Sequence, residues 1–121
     1  MGHIYRALSL ADEITDHEVL FVSDTDNSIA VKELAGYDYW LGLYSPSEVI
    51  VKITELKPDL VVNDSLDTTK EELMTLKKSG IRVLNFEDLG TGAIYADLTI
   101  NELYDEPKFE GGNICWGREY F

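Results

Sequence analysis

The chain has 121 residues, a length that suits one domain with its own hydrophobic core. It carries 23 acidic residues against 10 lysines and arginines, a net charge of −13. This charge argues against nucleic acid or an anionic membrane as a partner, because both are bound through clustered basic side chains. A single cysteine excludes an internal disulfide, and no segment resembles a signal peptide or a membrane span, so we expect a cytoplasmic protein.

The sequence opens on a glycine, a histidine and then the pattern of an amphipathic helix. Apolar side chains recur at three- and four-residue spacing, at Ile4, Ala7, Leu8, Ala11 and Ile14. His3 falls in the first turn, where free backbone N–H groups and the positive end of the dipole favour an anion. The same field opposes a second positive charge, so His3 should stay neutral and able to accept a proton. The alternative is that Gly2 is only a turn and His3 an ordinary polar residue at a helix end.

Strands and helices alternate after this first helix. Residues 18–23 are a nearly continuous apolar run, which is typical of a strand buried on both faces of a parallel sheet. Residues 28–35 follow a polar turn and predict a helix, and residues 39–43 predict a short strand. This order is the beginning of an α/β pattern.

The clearest helix start in the sequence lies at Ser45. This residue is the expected N-cap, Pro46 occupies the first helical position, and Glu48 completes a capping box. Pro58 should end the helix, because proline disfavours helical backbone in the residue before it. Residues 59–64 then predict a central strand that is apolar until its last two positions.

A second capping box, formed by Thr68 and Glu71, predicts the next helix. Residues 81–86 and 97–101 predict two further strands, separated by a glycine-containing loop and a short helical turn over 93–96. The alternation of helices and strands with tight connections predicts the α/β class. We expect a three-layer, Rossmann-like domain with a parallel sheet and helices on both faces.

The predicted domain covers residues 1–103. Residues 104–121, which include Pro107 and two adjacent glycines, are expected to form a linker and the start of a second domain. Both ends lack the polar character of natural termini, and no strand precedes the glycine-histidine turn, so we expect the sequence to be cut at both ends. Strand edges left unpaired by such a cut would favour a homodimer.

Polar side chains end each predicted strand, at the edge where open parallel sheets bind ligands. Asp64 and Asp88 follow long apolar strands and are therefore candidates for substrate binding. Asp67 is expected to be a neighbour of a helix cap, and solvated turn residues are the alternative for all these carboxylates. The two histidines are too isolated for a zinc site, and the sequence has neither a Walker A lysine nor a complete dinucleotide fingerprint. We therefore predict no metal and no cofactor.

Several stretches resemble one enzyme family. The opening motif Gly2-His3-x-x-Arg6-x-Leu8-x-Leu10-Ala11 is similar to the motif that begins the first helix of two-domain nucleotide-sugar enzymes of the GT-B type. More closely, it resembles the PseG/SpsG group, the nucleotide-sugar hydrolases of pseudaminic acid biosynthesis and their spore-coat polysaccharide relatives. The segments 80–93, with Phe86-Glu87-Asp88-Leu89-Gly90 at its centre, and 96–101 are similar to the same group, as is Val61-Val62-Asn63-Asp64.

The resemblance implies that this chain is the N-terminal, Rossmann-like half of such an enzyme. The family's histidine base activates a water that displaces UDP from a UDP-linked deoxyamino sugar, and this role maps onto His3. Gly2 would let the backbone approach the ligand, and no metal is implied. Arg6 would hold a phosphate or orient the helix end, and an ordinary exposed helix arginine is the alternative. The family's first strand and the domain that binds most of the UDP lie outside this sequence, so we expect the chain to be inactive by itself.

Two other functions fit parts of the pattern. A Rossmann-like half that has lost the chemistry would be a non-catalytic binding or assembly module, which the acidic charge and the expected open sheet edge favour. A receiver-like phosphorylation domain also carries aspartates at strand ends. The sequence lacks the acidic pair expected after the first strand of such a domain, which argues against this alternative.

Overall fold

The structure, a computed structural model, describes residues 2–14, 16–25, 32, 36–37, 39–64, 67–104 and 106–117, with the backbone alone for residues 2–5. The chain divides into two compact units, Met1–Leu56 and Lys57–Phe121. Every strand pair among the described residues is parallel, and helices precede or separate the strands at several points along the chain. The predicted α/β class, with parallel sheets and flanking helices in a Rossmann-like arrangement, is therefore confirmed.

The described part of the first unit contains two helices beside a small parallel sheet. Its elements are α1 (Gly2–Glu13), β1 (Leu20–Asp24), β2 (Trp40–Tyr44) and α2 (Val49–Leu56). β1 and β2 pair in parallel, with Phe21 opposite Leu41. The helix predicted over 28–35 lies, apart from one position, outside the described residues. No helix in the described part of the chain is long and apolar enough to cross a membrane.

The predicted apolar face of α1 is buried or half-buried along its described side chains, while the side chain of Ile4 lies outside the described residues. Leu8 and Ala11 are 6% and 5% exposed, and Ala7 and Ile14 are half-buried. At the end of this helix, the Tyr39 hydroxyl donates a hydrogen bond of 2.7 Å to the Asp12 carboxylate. This hydrogen bond raises the pKa of Tyr39, because it stabilises the protonated phenol.

Helix α2 begins later than predicted, so the capping box assigned to Ser45 is wrong. Residues 46–48 form a turn in which the Glu48 N–H donates to the Ser45 carbonyl at 2.8 Å. The Glu48 carbonyl then accepts a helical bond from Lys52 at 3.0 Å. Glu48 therefore lies at the helix boundary, where the prediction required it inside the first turn. The predicted end before Pro58 is confirmed, since the helix stops at Leu56.

The second unit is built on a four-stranded parallel sheet. Its elements are β3 (Leu60–Asp64), α3 (Lys70–Lys78), β4 (Arg82–Phe86), a 3₁₀ turn (Ala93–Tyr95), β5 (Leu98–Asn101) and β6 (Ile114–Trp116). The strands lie side by side in chain order, β3-β4-β5-β6. The chain thus forms two described sheets where the sequence predicted one. The segment predicted as a linker contains β6, which pairs with β5 and belongs to this sheet.

One face of the second sheet forms the core of the unit. Leu73 and Leu76 of α3 are fully buried, and α3 packs on β4 and on the 3₁₀ turn. Val83 on the covered face is also fully buried, and each such side chain contributes about 2 kcal/mol to folding. Side chains alternate between faces along a strand, so the opposite face carries exposed apolar residues: Leu60, Val62 and Leu98.

Candidate functional site

Helix α1 begins at Gly2, so the backbone of His3 lies in its first turn, as the sequence predicts. The first N–H groups of a helix have no acceptor within it, and they point with the positive end of the dipole away from the chain that follows. Arg6 lies one turn further along and is half-buried. The side chain of His3 is outside the described residues, and its role as a base stays a prediction.

The predicted site residues divide between the two units. Gly2, His3 and Arg6 share α1 of the first unit, while Asp64 and Asp88 belong to the second. Within the second unit, both aspartates lie at the carboxyl edge of the sheet, since Asp64 is the last residue of β3 and Asp88 follows β4. Polar side chains therefore lie at the carboxyl edge of this sheet.

Asn63 and Asn85 begin this polar edge. Asn63 lies opposite Asn85 in the β3–β4 register, and its side-chain amide donates to the Asn85 carbonyl oxygen at 2.9 Å. The next position, Asp64, is half-buried and lies in register with Phe86. The covered face of the sheet therefore changes along its strands from apolar side chains near their start to amides near their carboxyl ends.

Asp88 is the centre of the polar edge. It is fully buried, and its carboxylate accepts hydrogen bonds from the N–H groups of Thr68 and Gly90, both at 2.9 Å, from the Asn85 amide at 2.7 Å and from the Thr68 hydroxyl. The Asn101 side chain completes the cluster, accepting from the Asp88 N–H at 2.8 Å and donating to the Asp88 carbonyl at 3.1 Å. Four donors occupy the acceptor positions of a carboxylate.

These contacts give Asp88 a positioning role in the structure. The carboxylate joins the loop before α3, through Thr68, to the loop after β4, through Gly90. A substrate could reach Asp88 only by exchanging these hydrogen bonds, because the residue has no exposed surface. Substrate binding by Asp88 therefore stays a prediction, while its hydrogen bonds connect the two loops.

Thr68 is a residue whose role the sequence analysis missed. It was predicted to cap α3, but Thr69 is the cap, and its hydroxyl accepts from the Glu72 N–H at 3.2 Å. Thr68 is buried, and its hydroxyl donates a hydrogen bond to the carboxylate of Asp88, twenty positions further along the chain. Two adjacent threonines offer equivalent caps in a sequence pattern. The hydrogen bond to the buried Asp88 carboxylate occupies Thr68 and leaves Thr69 as the cap.

The glycines of the loop after β4 let it approach Thr68 closely. A Cβ placed on Gly90 would lie 2.2 Å from the Thr68 carbonyl oxygen, and one on Gly92 would lie 2.3 Å from the Thr68 hydroxyl. The Gly92 N–H donates to that carbonyl at 2.9 Å. The two loops are thus in backbone contact, which a larger side chain at either glycine would prevent.

Glu87 adds a second buried carboxylate to this edge. It is 1% exposed, and its Oε1 accepts from the Glu102 N–H at 2.8 Å. Its backbone has a φ of +54°, a left-handed conformation that is costly for a residue with a side chain. Despite these neighbouring carboxylates, the described residues contain no group of three histidine, cysteine or acidic side chains arranged to hold a metal ion.

A different carboxylate, that of Asp97, connects elements at the opposite end of the strands, where they begin. Asp97, just before β5, lies 2.5 Å from the Lys77 ammonium and accepts from the Val83 N–H at 2.7 Å. The hydrogen bond from Lys77 is the largest cause of a lowered pKa at Asp97, and the Val83 N–H adds to it. This pair fastens the end of α3 to the beginning of β4.

Comparisons with known proteins identify one distant relative. No family model matches the chain, and no solved structure matches it. The uncharacterized protein MJ1062 of Methanocaldococcus jannaschii is 26% identical to it over 126 residues. The alignment covers all of this chain and 24% of the archaeal protein, so the chain spans about a quarter of the length of that relative.

Proposed function

We propose that this chain is the N-terminal part of a nucleotide-sugar hydrolase, or a related transferase, of surface polysaccharide or nonulosonic acid biosynthesis in the cytoplasm. Its reaction would release UDP from a UDP-linked deoxyamino sugar. The observation that carries the proposal is the start of α1 at Gly2, which puts His3 in the first helical turn. The parallel α/β architecture and the polar carboxyl edge of the second unit also support it.

The proposed chemistry is a hydrolytic displacement. Neutral His3 takes a proton from water, the water oxygen forms a bond to the anomeric carbon, and the bond from that carbon to the diphosphate oxygen breaks. UDP departs with the electron pair of the broken bond. The positive end of α1 favours neutral imidazole before the reaction and stabilises negative charge on the diphosphate during it. Arg6, one turn further along the same helix, would bind a phosphate oxygen.

The test is UDP release by the full product of the reading frame that encodes this chain. We expect turnover of a UDP-deoxyamino sugar and its loss, by a factor of about 100 or more, in His3→Asn, since general bases contribute that much. His17→Asn is the matched control, because His17 is exposed, with 67% of its side-chain surface accessible, and contacts Asp16 at 3.1 Å. Undiminished turnover in His3→Asn would reject the proposed base.

A non-catalytic binding or assembly module is the second candidate, and the exposed apolar face of the second sheet favours it. Leu60 is 51% exposed, and Val62 and Leu98 are each 37% exposed. Among the described strands of this sheet, β3 and β6 are the outer ones, and an outer strand is where another copy could add a strand. Self-association in solution combined with no UDP release by the wild-type protein would support this function over the hydrolase.

A further inference from the structure

The second unit contains a cavity that the proposed hydrolase chemistry does not use. Its volume is about 410 Å³, within the range of small-molecule sites. Half of the residues around it have apolar or aromatic side chains, namely Leu89, Ile94, Tyr95 and Phe109, and the others are Lys70, Gly90, Thr91 and Glu110. The cavity has the composition of a site for an apolar ligand with a charged group.

One side of the cavity is fixed by the Asp88 cluster. The Gly90 N–H donates to Asp88, and the Thr91 hydroxyl accepts from the Lys70 N–H at 2.9 Å. Lys70 is the first residue of α3, and the Thr69 hydroxyl caps that helix. The loop and the helix start are therefore joined by hydrogen bonds before any ligand arrives.

Two other sides of the cavity are also held by contacts within the second unit. The Asn113 side-chain amide donates to three carbonyls around the 3₁₀ turn, at 3.3 Å to Ala93, 3.1 Å to Ile94 and 2.7 Å to Ala96. Phe109 packs against Trp116 in an edge contact, with the ring centroids 5.3 Å apart. Residues around an open cavity that are already held by such contacts lose little freedom when a ligand binds, which favours binding.

Lys70 supplies a positive charge whose position the helix does not explain. The first turn of a helix favours acidic side chains, so a lysine there is mildly unfavourable for α3, whereas Lys77 and Lys78 in its last turn suit the dipole. The Lys70 ammonium lies 5.5 Å from the centre of the Tyr95 ring. No ion pair involves this lysine in the part of the chain that the structure describes.

We propose that this cavity binds a small organic anion whose flat, apolar ring packs among Leu89, Ile94 and Phe109 and whose carboxylate or phosphate group contacts Lys70. Ile94 is 46% exposed, and a ring in the cavity would cover it. The binding needs no residue of α1. It is therefore a property of the second unit, independent of the hydrolase proposal.

Titration of the full chain, followed by amide NMR, tests the site with simple probes. Benzoate and phenyl phosphate carry both the ring and the anion, benzyl alcohol carries the ring alone, and inorganic phosphate the anion alone. We expect the two ring anions to shift the Gly90, Thr91 and Ile94 signals with dissociation constants on the order of millimolar, as their size allows. Benzyl alcohol and inorganic phosphate should bind more weakly than the two ring anions. The dissociation constants of phenyl phosphate and benzoate show which anionic group, phosphate or carboxylate, the cavity prefers.

Matched variants separate recognition of the anionic group from recognition of the ring. Lys70→Met should weaken the ring anions by about tenfold, the scale of one charged contact, and leave benzyl alcohol unchanged. Lys78→Met, at the other end of α3, should change neither. Ile94→Asn should weaken every ring-bearing probe, while Leu103→Asn, at a residue 66% exposed and outside the cavity, should weaken none.

All four substituted side chains lie at or near the surface, so the variants should keep the fold, which circular dichroism checks. Saturable shifts at Gly90 and Thr91 that Lys70→Met weakens support the site. Absence of shifts at about ten times the expected dissociation constant, or equal binding by Lys70→Met and Lys78→Met, overturns the proposal.

Discussion

Asp88 and Asp97 fasten opposite edges of the same sheet in two different ways. Asp88 is fully buried and accepts hydrogen bonds from four donors of the protein, two of them backbone N–H groups. Asp97 has 47% of its side-chain surface exposed and is held by the Lys77 ammonium and one backbone N–H. Because buried hydrogen bonds to a charged group contribute more to stability than an exposed ion pair, we expect Asp88 to contribute more than Asp97.

The largest expected effect is therefore at Asp88. Asp88→Asn replaces one carboxylate oxygen with an amide that cannot accept a hydrogen bond from the Asn85 amide. Since one buried donor loses its acceptor and the remaining bonds lose charge assistance, the free energy of unfolding should fall by about 3 kcal/mol. Urea denaturation measures the change.

Asp67→Asn is the matched control for this variant. Asp67 is exposed and adjacent to Thr68, so its substitution should alter stability by less than about 0.5 kcal/mol. Equal effects of the two substitutions would contradict a larger contribution to stability from the buried carboxylate.

An intermediate effect is expected from the loop that Asp88 holds. Gly90→Ala places a methyl group 2.2 Å from the Thr68 carbonyl oxygen, so the two loops must separate and the stability should fall by about 2 kcal/mol. Gly112→Ala provides the control, because no atom lies within 4 Å of the added Cβ. Thermal unfolding of the two variants side by side should show a lowered midpoint for the first alone.

The smallest effect is expected at Asp97 and depends on pH. Because the folded protein lowers the pKa of this carboxyl, the unfolded chain binds the proton more readily, and acid favours unfolding. The contribution is present at pH values above the ordinary aspartate pKa of about 4 and is lost as the pH falls below it. With half of the side chain exposed, it should amount to less than about 1 kcal/mol.

Unfolding midpoints of the wild type and Asp97→Asn at neutral and acid pH measure the contribution of the Asp97 carboxylate to stability. The wild type should be the more stable at neutral pH, and the difference should shrink on acidification. A difference that grows on acidification would contradict the direction of the pKa change.

Much of the fold could be predicted because apolar runs and helix periodicity are local signals. Residues 59–64 and 81–86 contain β3 and β4, and the amphipathic pattern at the start gave α1. β6 escaped prediction because it has only three residues, all half-buried, between a glycine-rich loop and Gly117. Short edge strands are defined by their neighbours more than by their own pattern.

The candidate site was predictable by position and less so by chemistry. Polar residues at strand ends pointed to Asp88, but nothing local shows that Thr68, Gly90 and Asn85 fill its acceptor positions, since Thr68 lies twenty residues away. The cavity beside Lys70 was not predicted. Its lining combines α3 with segments around residues 89–95 and 109–110, which only the folded chain assembles.

The strand order of the second sheet has a topological consequence. Consecutive parallel strands that advance in one direction through right-handed crossovers place every connection on the same side. The order β3-β4-β5-β6 never reverses, which accounts for α3 and the 3₁₀ turn covering one face while Leu60, Val62 and Leu98 stay open to solvent on the other. Winding of this kind makes no crevice between diverging connections, the place where doubly wound sheets hold nucleotides. Within the described strands of this sheet, the winding alone therefore provides no such crevice, and the cavity lined by Lys70 lies at the flank, beside the start of α3.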